Sequence, residues 1–315
     1  MKTPGFWFRP PGLLAKLLTP LGAVYYGISR RRRAVPATTT TPLVVVGNVV
    51  AGGAGKTPVV IALTRLLQQR GVKVHLIAKG YGGRLKGPLQ VQQQHTVQDV
   101  GDEPLLLLQH APTFIGHDRG ATYELAAQGA DIVISDDGLQ SPRLKASLAL
   151  LVLDGVLGFG NGKLIPAGPL RETVTAALER VHAVIQIGGG ERPLGKKPLI
   201  VADFVPADTE WLRGAHVIAF AGIGQPEKFF ATLTTCGAKI IAAHAFADHH
   251  SYTQKQIAAL IREAEEKNAI LVTTTKDAVR ITPQQREHIR VLDGALAWRN
   301  PNLVTALLEE ILKNE

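Results

Sequence analysis

A lysine and a threonine set behind closely spaced glycines are the residues of this chain with the plainest chemical use. In Gly52-Gly53-Ala54-Gly55-Lys56-Thr57 the glycines let successive backbone N–H groups turn inward around an anion. Lys56 supplies a cation for the outer phosphates of a nucleotide, and the hydroxyl of Thr57 suits a Mg²⁺ ligand. Further along, Asp136 and Asp137 close the apolar run that begins at Ala130. Paired carboxylates at such a strand end hold Mg²⁺ directly or through water beside a phosphate loop. The two stretches together predict binding of a nucleoside triphosphate.

Those residues need elements to hold them. Leu43–Val46 is a short β-branched run fit for a buried strand, ended by Gly47 and Asn48. From Pro58 the pattern turns helical, with Val59, Val60, Leu63, Leu66 and Leu67 on one face and Gly71 as the stop. Strand, glycine loop and helix start aim the helix N-terminus at the phosphates. The loop is irregular, since Val50 stands where the usual spacing has a glycine. A glycine-rich turn with an accidental Gly-Lys-Thr is the plain alternative, disfavoured by the flanking strand and helix.

Val72–Ala78 reads as a second strand, followed by the glycine-rich loop Lys79–Arg84 at the strand end where ligands sit in open α/β sheets. Gly101-Asp102-Glu103-Pro104 opens a helix through Leu108, residues 113–116 a strand, and Tyr123–Ala127 a helix. Leu148–Leu153 is wholly apolar and predicts a strand buried on both faces. The long Gly/Pro stretch Gly158–Glu172 ends in Arg171 and Glu172, and loops of this length are usually functional. From about Asp203 the pattern restarts: strands at His216–Ala221, Ala238–His244 and Ala269–Thr273, helices at Pro226–Thr235 and Thr253–Lys267, and a last amphipathic helix at Asn302–Leu312.

The fold class expected is α/β, a P-loop NTPase-like, mostly parallel sheet with helices on both faces, plus a second, smaller α/β domain. The boundaries expected are 1–33 for a membrane-surface segment, 34–205 for the phosphate-loop domain, 206–299 for the smaller domain and 300–315 for a C-terminal helix of unknown docking. Composition agrees, with 45% apolar and 5% aromatic residues over a length of 315, enough for two cores. The single cysteine, Cys236, rules out an internal disulfide and fits a reducing compartment.

Charge is unevenly placed. Fourteen Lys and Arg precede the first acid, Asp99, so the remainder carries −5 against an overall +9. A basic front third implies an anionic partner. Leu13, Leu14, Leu17, Leu18 and Leu21 recur at helical spacing, flanked by Phe6, Trp7, Phe8, Tyr25 and Tyr26 and followed by Arg30–Arg33. Lys16 and Pro20 interrupt the run, which falls short of the roughly 20 apolar residues a span needs. Most of its charge follows the apolar stretch, the reverse of a secretory signal. The pattern predicts an amphipathic helix lying on an anionic membrane surface. A helix docked on the protein's own core is the alternative, and no nucleic-acid recognition module appears.

Several segments together resemble one family, the tetraacyldisaccharide 4′-kinases of lipid A biosynthesis. They are Gly47-Asn48 with Gly52–Pro58, Lys79–Arg84, Val100–Pro104, Ser135–Gln140, Gly160–Gly162 with Pro166–Glu172, Phe246–His249 and Thr274–Val279. They run in order over most of the chain. Each is weak alone, and the set is highly specific. One position departs from the pattern: Thr275 stands where the family has Glu before Lys-Asp-Ala-Val.

The resemblance implies ATP held by Gly52–Thr57, with Thr57, Asp136 and Asp137 around Mg²⁺. It implies transfer of the γ-phosphoryl group to the 4′-hydroxyl of a tetraacyldisaccharide 1-phosphate. Asp102 is the implied base, with His249 beside it, Arg171 and Glu172 lining the site, and no role for His250. An acceptor with four acyl chains stays in the bilayer, so the implied location is the cytoplasmic face of the inner membrane, peripheral or monotopic. A membrane-associated phosphate-loop nucleotide switch is the competing reading, although Ala51 replaces the lysine such loops often carry and no guanine-reading Asn-Lys-x-Asp occurs. Acyl-chain specificity and the number of associating copies have no signature in the sequence.

Overall fold

The computed structural model describes residues 4–30, 41–192 and 194–313, with the backbone alone at 29 and 30. Arg31–Arg33 and residues 34–40 lie outside the described residues. The chain divides into two compact units, a larger one of Thr3–Phe204 with Leu296–Glu315 and a smaller one of Val205–Ala295.

The larger unit contains strands β1 (Leu43–Gly47), β2 (Val74–Ala78), β3 (Leu89–Gln90), β4 (Thr113–Ile115), β5 (Ile132–Asp136), β6 (Leu148–Asp154), β7 (Ala183–Ile187) and β8 (Leu199–Pro206). Its helices are α1 (Leu13–Arg30), α2 (Lys56–Gln68), α3 (Val97–Val100), α4 (Asp102–Leu108), α5 (Arg119–Ala127) and α6 (Val174–Arg180). In the smaller unit follow β9 (His216–Ala221), β10 (Lys239–Ala245), β11 (Ile270–Thr274) and β12 (Arg290–Leu292), with α7 (Pro226–Thr235), α8 (Gln254–Glu266), α9 (Thr275–Ala278) and α10 (Pro283–Arg286). The chain returns to the larger unit through β13 (Gly294–Trp298) and ends in α11 (Pro301–Lys313).

Among the described residues the larger sheet has nine strands in the order β13-β8-β7-β6-β1-β5-β2-β4-β3. From β8 to β4 every pairing is parallel, and β3 runs antiparallel on β4. β1 sits between β5 and β6, with Val46 opposite Asp136 and Leu150. The chain leaves β1 toward one side of the sheet and later crosses to the other, so the C-terminal end of β1 is a topological switch point.

Alternation along the strands builds a core on each face. Val44 and Val46 pack with Val59, Val60, Leu63 and Leu67 of α2 and with Val304 and Leu308 of α11. Leu43 and Val45 pack with Tyr123 and Ala126 of α5 and Ala177 of α6. The four apolar residues of α2 are fully buried, each contributing about 1.5–3 kcal/mol relative to exposure. The smaller unit repeats the plan: an all-parallel sheet β10-β9-β11-β12 has Phe229 and Leu233 of α7 on one face and Ile257 and Leu260 of α8 on the other.

α1 departs from this economy. Leu13, Leu17, Leu21, Val24 and Ile28 are 55–75% exposed, whereas Ala15 is buried. A Cβ on Gly22 would stand 3.1 Å from that of Leu164, so the helix docks through its small residues. The segment before it is tied to the same loop, with Trp7 Nε1 donating to the Pro166 carbonyl at 3.0 Å and Asn161 N–H donating to the Trp7 carbonyl at 2.7 Å. The leucine stripe therefore faces away from the core. Among the described residues no helix is long and apolar enough to cross a membrane.

Strands β3, β7, β8, β12 and β13 and helices α3, α6, α9 and α10 were not anticipated from sequence. α5 begins at Arg119 instead of Tyr123, because the Asp118 carboxylate accepts the N–H groups of Gly120 and Ala121 and caps it there.

Candidate active site

The phosphate loop leaves β1 at the switch point and closes into α2. Gly55 caps that helix with φ 83°, a left-handed conformation in which a side chain would be strained. The loop is held from outside by the segment following Pro166. Ala51 N–H donates to the Pro169 carbonyl and Arg171 N–H to the Val49 carbonyl, both at 2.8 Å, and Val50 forms an isolated antiparallel bridge with Leu170. The long Gly/Pro stretch is thus a buttress for the loop.

Parallel pairing of β1 with β5 brings the acidic strand end to the start of α2. Thr57 Oγ1 donates to Asp136 Oδ2 at 2.9 Å. Lys56 Nζ lies 3.5 Å from Asp137 Oδ1, and Arg171 Nη1 lies 3.4 Å from Asp137 Oδ2. Asp137 is in the left-handed region at φ 56°, which aims its carboxylate at these cations. The two acids are tuned apart. Burial, with Glu103 and Asp137 nearby, pushes the Asp136 carboxyl up to about 7. Burial acts the same way on Asp137, but Lys56 and Arg171 outweigh it and hold that carboxyl below its ordinary value.

These residues fit a hard divalent cation. Oδ1 of Asp136 and Oδ1 of Asp137 are buried without a hydrogen-bond partner, and oxygen donors are what Mg²⁺ selects. Among the described residues no cluster of three or more His, Cys, Asp or Glu could cage a metal. A cation here would lean on phosphate oxygens and water, as Mg²⁺ usually does beside nucleotides.

Asp102 opens α4 and is 3% exposed. Its Oδ1 accepts the N–H of Glu103 at 2.9 Å, and Glu103 is close enough to bear on Asp136. Gly101 precedes it at φ 87°, where a Cβ would stand 2.3 Å from the Tyr81 carbonyl, so the Lys79–Arg84 loop and Asp102 approach one another only through a glycine. Glu172 accepts from Gln140 Nε2 at 3.1 Å and is paired with Arg180.

His249 belongs to the smaller unit, in the loop after β10. It too is left-handed, φ 58°, and its N–H donates to the Gly222 carbonyl at 3.1 Å. Lys276 Nζ lies 3.4 Å from its Nε2. His250 stacks on Phe246 at 4.8 Å and bonds Gln256, a packing role.

Further residues matter that sequence reasoning left aside. Arg119 is buried behind the acid pair, donating from Nη2 to Ser135 Oγ at 2.9 Å and to the Asp136 carbonyl at 2.6 Å. Burial lowers its pKa, opposed by Asp137 and Asp136. In the smaller unit, fully buried Asp277 accepts from Gly222 N–H, Tyr252 Oη, Thr274 Oγ1 and Arg280, and so fixes the turn on which His249 rests. Its motif, Thr274–Val279, was legible, but its partners were not.

Comparison with known proteins yields one family. The model of the LpxK family, tetraacyldisaccharide-1-P 4′-kinase, matches residues 14–313. A tetraacyldisaccharide 4′-kinase of Rhodospirillum centenum is 44% identical over 333 residues, covering 100% of this chain and 98% of the relative. One of Methylorubrum extorquens is 47% identical over 311 residues, covering 95% of each. The crystal structure of LpxK from Aquifex aeolicus in complex with ATP is similar at a TM-score of 0.76 and 25% identity, covering 95% of this chain and 100% of that one.

Proposed function

From the premise that the chain belongs to the tetraacyldisaccharide-1-P 4′-kinase family, and is an ATP-dependent phosphotransferase acting on a lipid A precursor, we propose how its residues divide that work. Gly52–Thr57 cradle the triphosphate through backbone N–H groups, and Lys56 lies along the outer phosphates. Thr57, Asp136 and Asp137 would hold Mg²⁺, which when bound would neutralise charge on the transferring phosphoryl group. Arg171 adds a second cation on the same side. Glu172, with Gln140, braces the loop that carries it. The observation that carries this reading is the convergence of Thr57 and Lys56 on Asp136 and Asp137.

Asp102 takes the proton of the attacking 4′-hydroxyl. Phosphoryl transfer through a loose transition state asks for alignment and charge neutralisation more than covalent help, so one carboxylate near the acceptor suffices. His249 takes part in the same proton transfer, setting the proton affinity of its base. Residues 34–205 act as the phosphate-loop domain, 206–299 as the smaller α/β domain and 300–315 as a C-terminal helix.

The acceptor lies in a bilayer, and the outward leucines of α1 supply a surface for that bilayer. The enzyme would work as a peripheral or monotopic protein at the cytoplasmic face of the inner membrane, where ATP is available. The basic front third attracts the anionic headgroups and the substrate's 1-phosphate.

The test presents tetraacyldisaccharide 1-phosphate in mixed micelles with ATP and Mg²⁺ to the wild type, Asp102→Asn and His249→Ala. Loss of a general base lowers kcat by about 10²–10⁴-fold, and both variants should fall with little change in ATP KM. A raised ATP KM at unchanged kcat would instead move Asp102 to the nucleotide site.

A further inference from the structure

The phosphate loop lacks the glycine that ordinarily opens it. Val50 is there instead, 9% exposed and bridged to Leu170, so free rotation at that position does not shape the turn. One side chain spans the interior of the loop. Asn48 is fully buried at the exit of β1. Its Nδ2 donates to the Val50 carbonyl at 2.6 Å and, at 3.4 Å, to the Gly52 carbonyl. Its Oδ1 accepts from Lys56 Nζ at 3.2 Å. Its backbone carbonyl accepts from Gln140 Nε2 at 2.9 Å, the amide that also reaches Glu172.

This pattern uses both ends of a neutral amide. In a trans peptide the N–H points opposite the preceding C=O, so drawing the Gly52 carbonyl inward turns the Gly53 N–H to the other side, away from Asn48. The same side chain holds the ammonium of Lys56 on the loop's axis. A carboxylate could accept from Lys56 but would face two carbonyl oxygens with no proton to give. An alanine would leave buried carbonyls without their donor and Lys56 with Asp137 as its nearer attraction.

We propose that Asn48 is a positioning residue for phosphoryl transfer: its amide substitutes for the missing glycine in setting the shape of the phosphate loop, and it presents Lys56 to the nucleotide. The inference rests on the reading of Gly52–Thr57 as the nucleotide cradle.

The test measures binding of a fluorescent, non-hydrolysable ATP analogue with Mg²⁺ to full-length wild type, Asn48→Ala, Asn48→Asp and Lys56→Ala, together with kcat on the lipid acceptor and thermal unfolding without nucleotide. Both Asn48 variants should raise Kd about tenfold or more, Asn48→Ala by losing the bond to the Lys56 ammonium and Asn48→Asp by leaving the Val50 and Gly52 carbonyls facing a carboxylate. Both should also lower kcat at saturating ATP. Variants that melt at a lower temperature yet keep wild-type Kd and kcat would reduce Asn48 to a scaffold residue and overturn the proposal. Should Asn48→Ala fail to fold, the isosteric Asn48→Asp decides alone. Wild-type binding by Lys56→Ala would instead remove the cradle reading, an outcome distinct from failure at Asn48.

Discussion

Thr57 and Asp136 are joined side chain to side chain, Thr57 Oγ1 donating to Asp136 Oδ2 at 2.9 Å. The bond links the first turn of α2 to the end of β5, two elements that meet because β1 and β5 pair in parallel with Val46 opposite Asp136. It fixes two candidate cation ligands relative to one another, the strand pairing supplying the approach and the hydrogen bond the contact. Asp136 Oδ1, which has no hydrogen-bond partner, is left to face whatever the loop holds.

Replacing that hydroxyl tests the pairing. Thr57→Val keeps the shape and removes the donor, leaving a buried carboxyl with neither oxygen bonded, a loss of about 1–3 kcal/mol. The Mg²⁺ concentration needed for half-maximal ATP-analogue binding should rise about tenfold, whereas Thr57→Ser should stay near wild type. Equal Mg²⁺ dependence in all three would detach Thr57 from the metal. Titration calorimetry at fixed nucleotide reads the difference.

Lys56 sits between two acceptors, Asn48 Oδ1 at 3.2 Å and Asp137 Oδ1 at 3.5 Å. The amide oxygen accepts a hydrogen bond from the ammonium, and the carboxylate is paired with it by charge. Lys56→Ala should lower kcat by about 10²–10³-fold, the usual scale for losing one preorganised charge on a transition state. Lys56→Arg should recover little, because a planar guanidinium cannot take the same position against a buried amide. Steady-state phosphorylation of the lipid acceptor measures both, and an active alanine variant contradicts the loop's assignment.

Much of this site was legible because its chemistry sits where strands end. Glycines at 52, 53 and 55, a lysine and threonine after them, and two acids closing an apolar run carry their meaning in residue type and spacing. What stayed hidden depends on partners far along the chain. Arg119 reads as a surface charge, and only the fold buries it under the carbonyls of Asp136 and Asp137. Gln186 interrupts the apolar run Ala183–Ile187, so β7 went unseen. In the structure that amide is fully buried and bonds the carbonyls of Gly188 and Gly190. Asn48 looked like a strand terminator, and its service to Lys56 appears only once the loop folds back.

The approach to Asp102 has its own acid-sensitive clasp. Asp99 Oδ2 accepts from the backbone and hydroxyl of Thr96 at 2.8 and 2.7 Å, closing a capping box on α3. Its Oδ1 accepts from Arg84 Nε at 2.7 Å, tying in the glycine-rich loop. The Thr96 bonds, then Arg84, hold this carboxyl down at about 2. A carboxylate depressed in the folded state adds stability above its unfolded value near 3.8 and loses it as pH falls through about 2. Asp99→Asn should therefore melt below wild type at pH 7, with the gap narrowing through acid pH. A gap that is constant from pH 7 to pH 3 would show that the charge contributes nothing.

α1 gives the last prediction. Its apolar stripe points outward while Gly22 seats it on the Leu164 loop, and that loop continues through Pro169 and Arg171 to the backbone of the phosphate loop. Leu17 and Leu21 lie one turn apart on the exposed stripe, 68% and 55% accessible. Converting both to glutamine should leave the fold and ATP-analogue binding intact, because neither side chain contributes to the buried core. Their transfer into a bilayer interface contributes about 2–3 kcal/mol in total when partly buried. Co-sedimentation with phosphatidylglycerol vesicles should drop by on the order of thirtyfold or more, and turnover on vesicle-borne acceptor should fall with it. Activity on a short-chain, water-soluble acceptor analogue should be spared. If vesicle binding is unchanged, the outward leucines are not the membrane contact, and the basic residues of the front third become the remaining source of attraction.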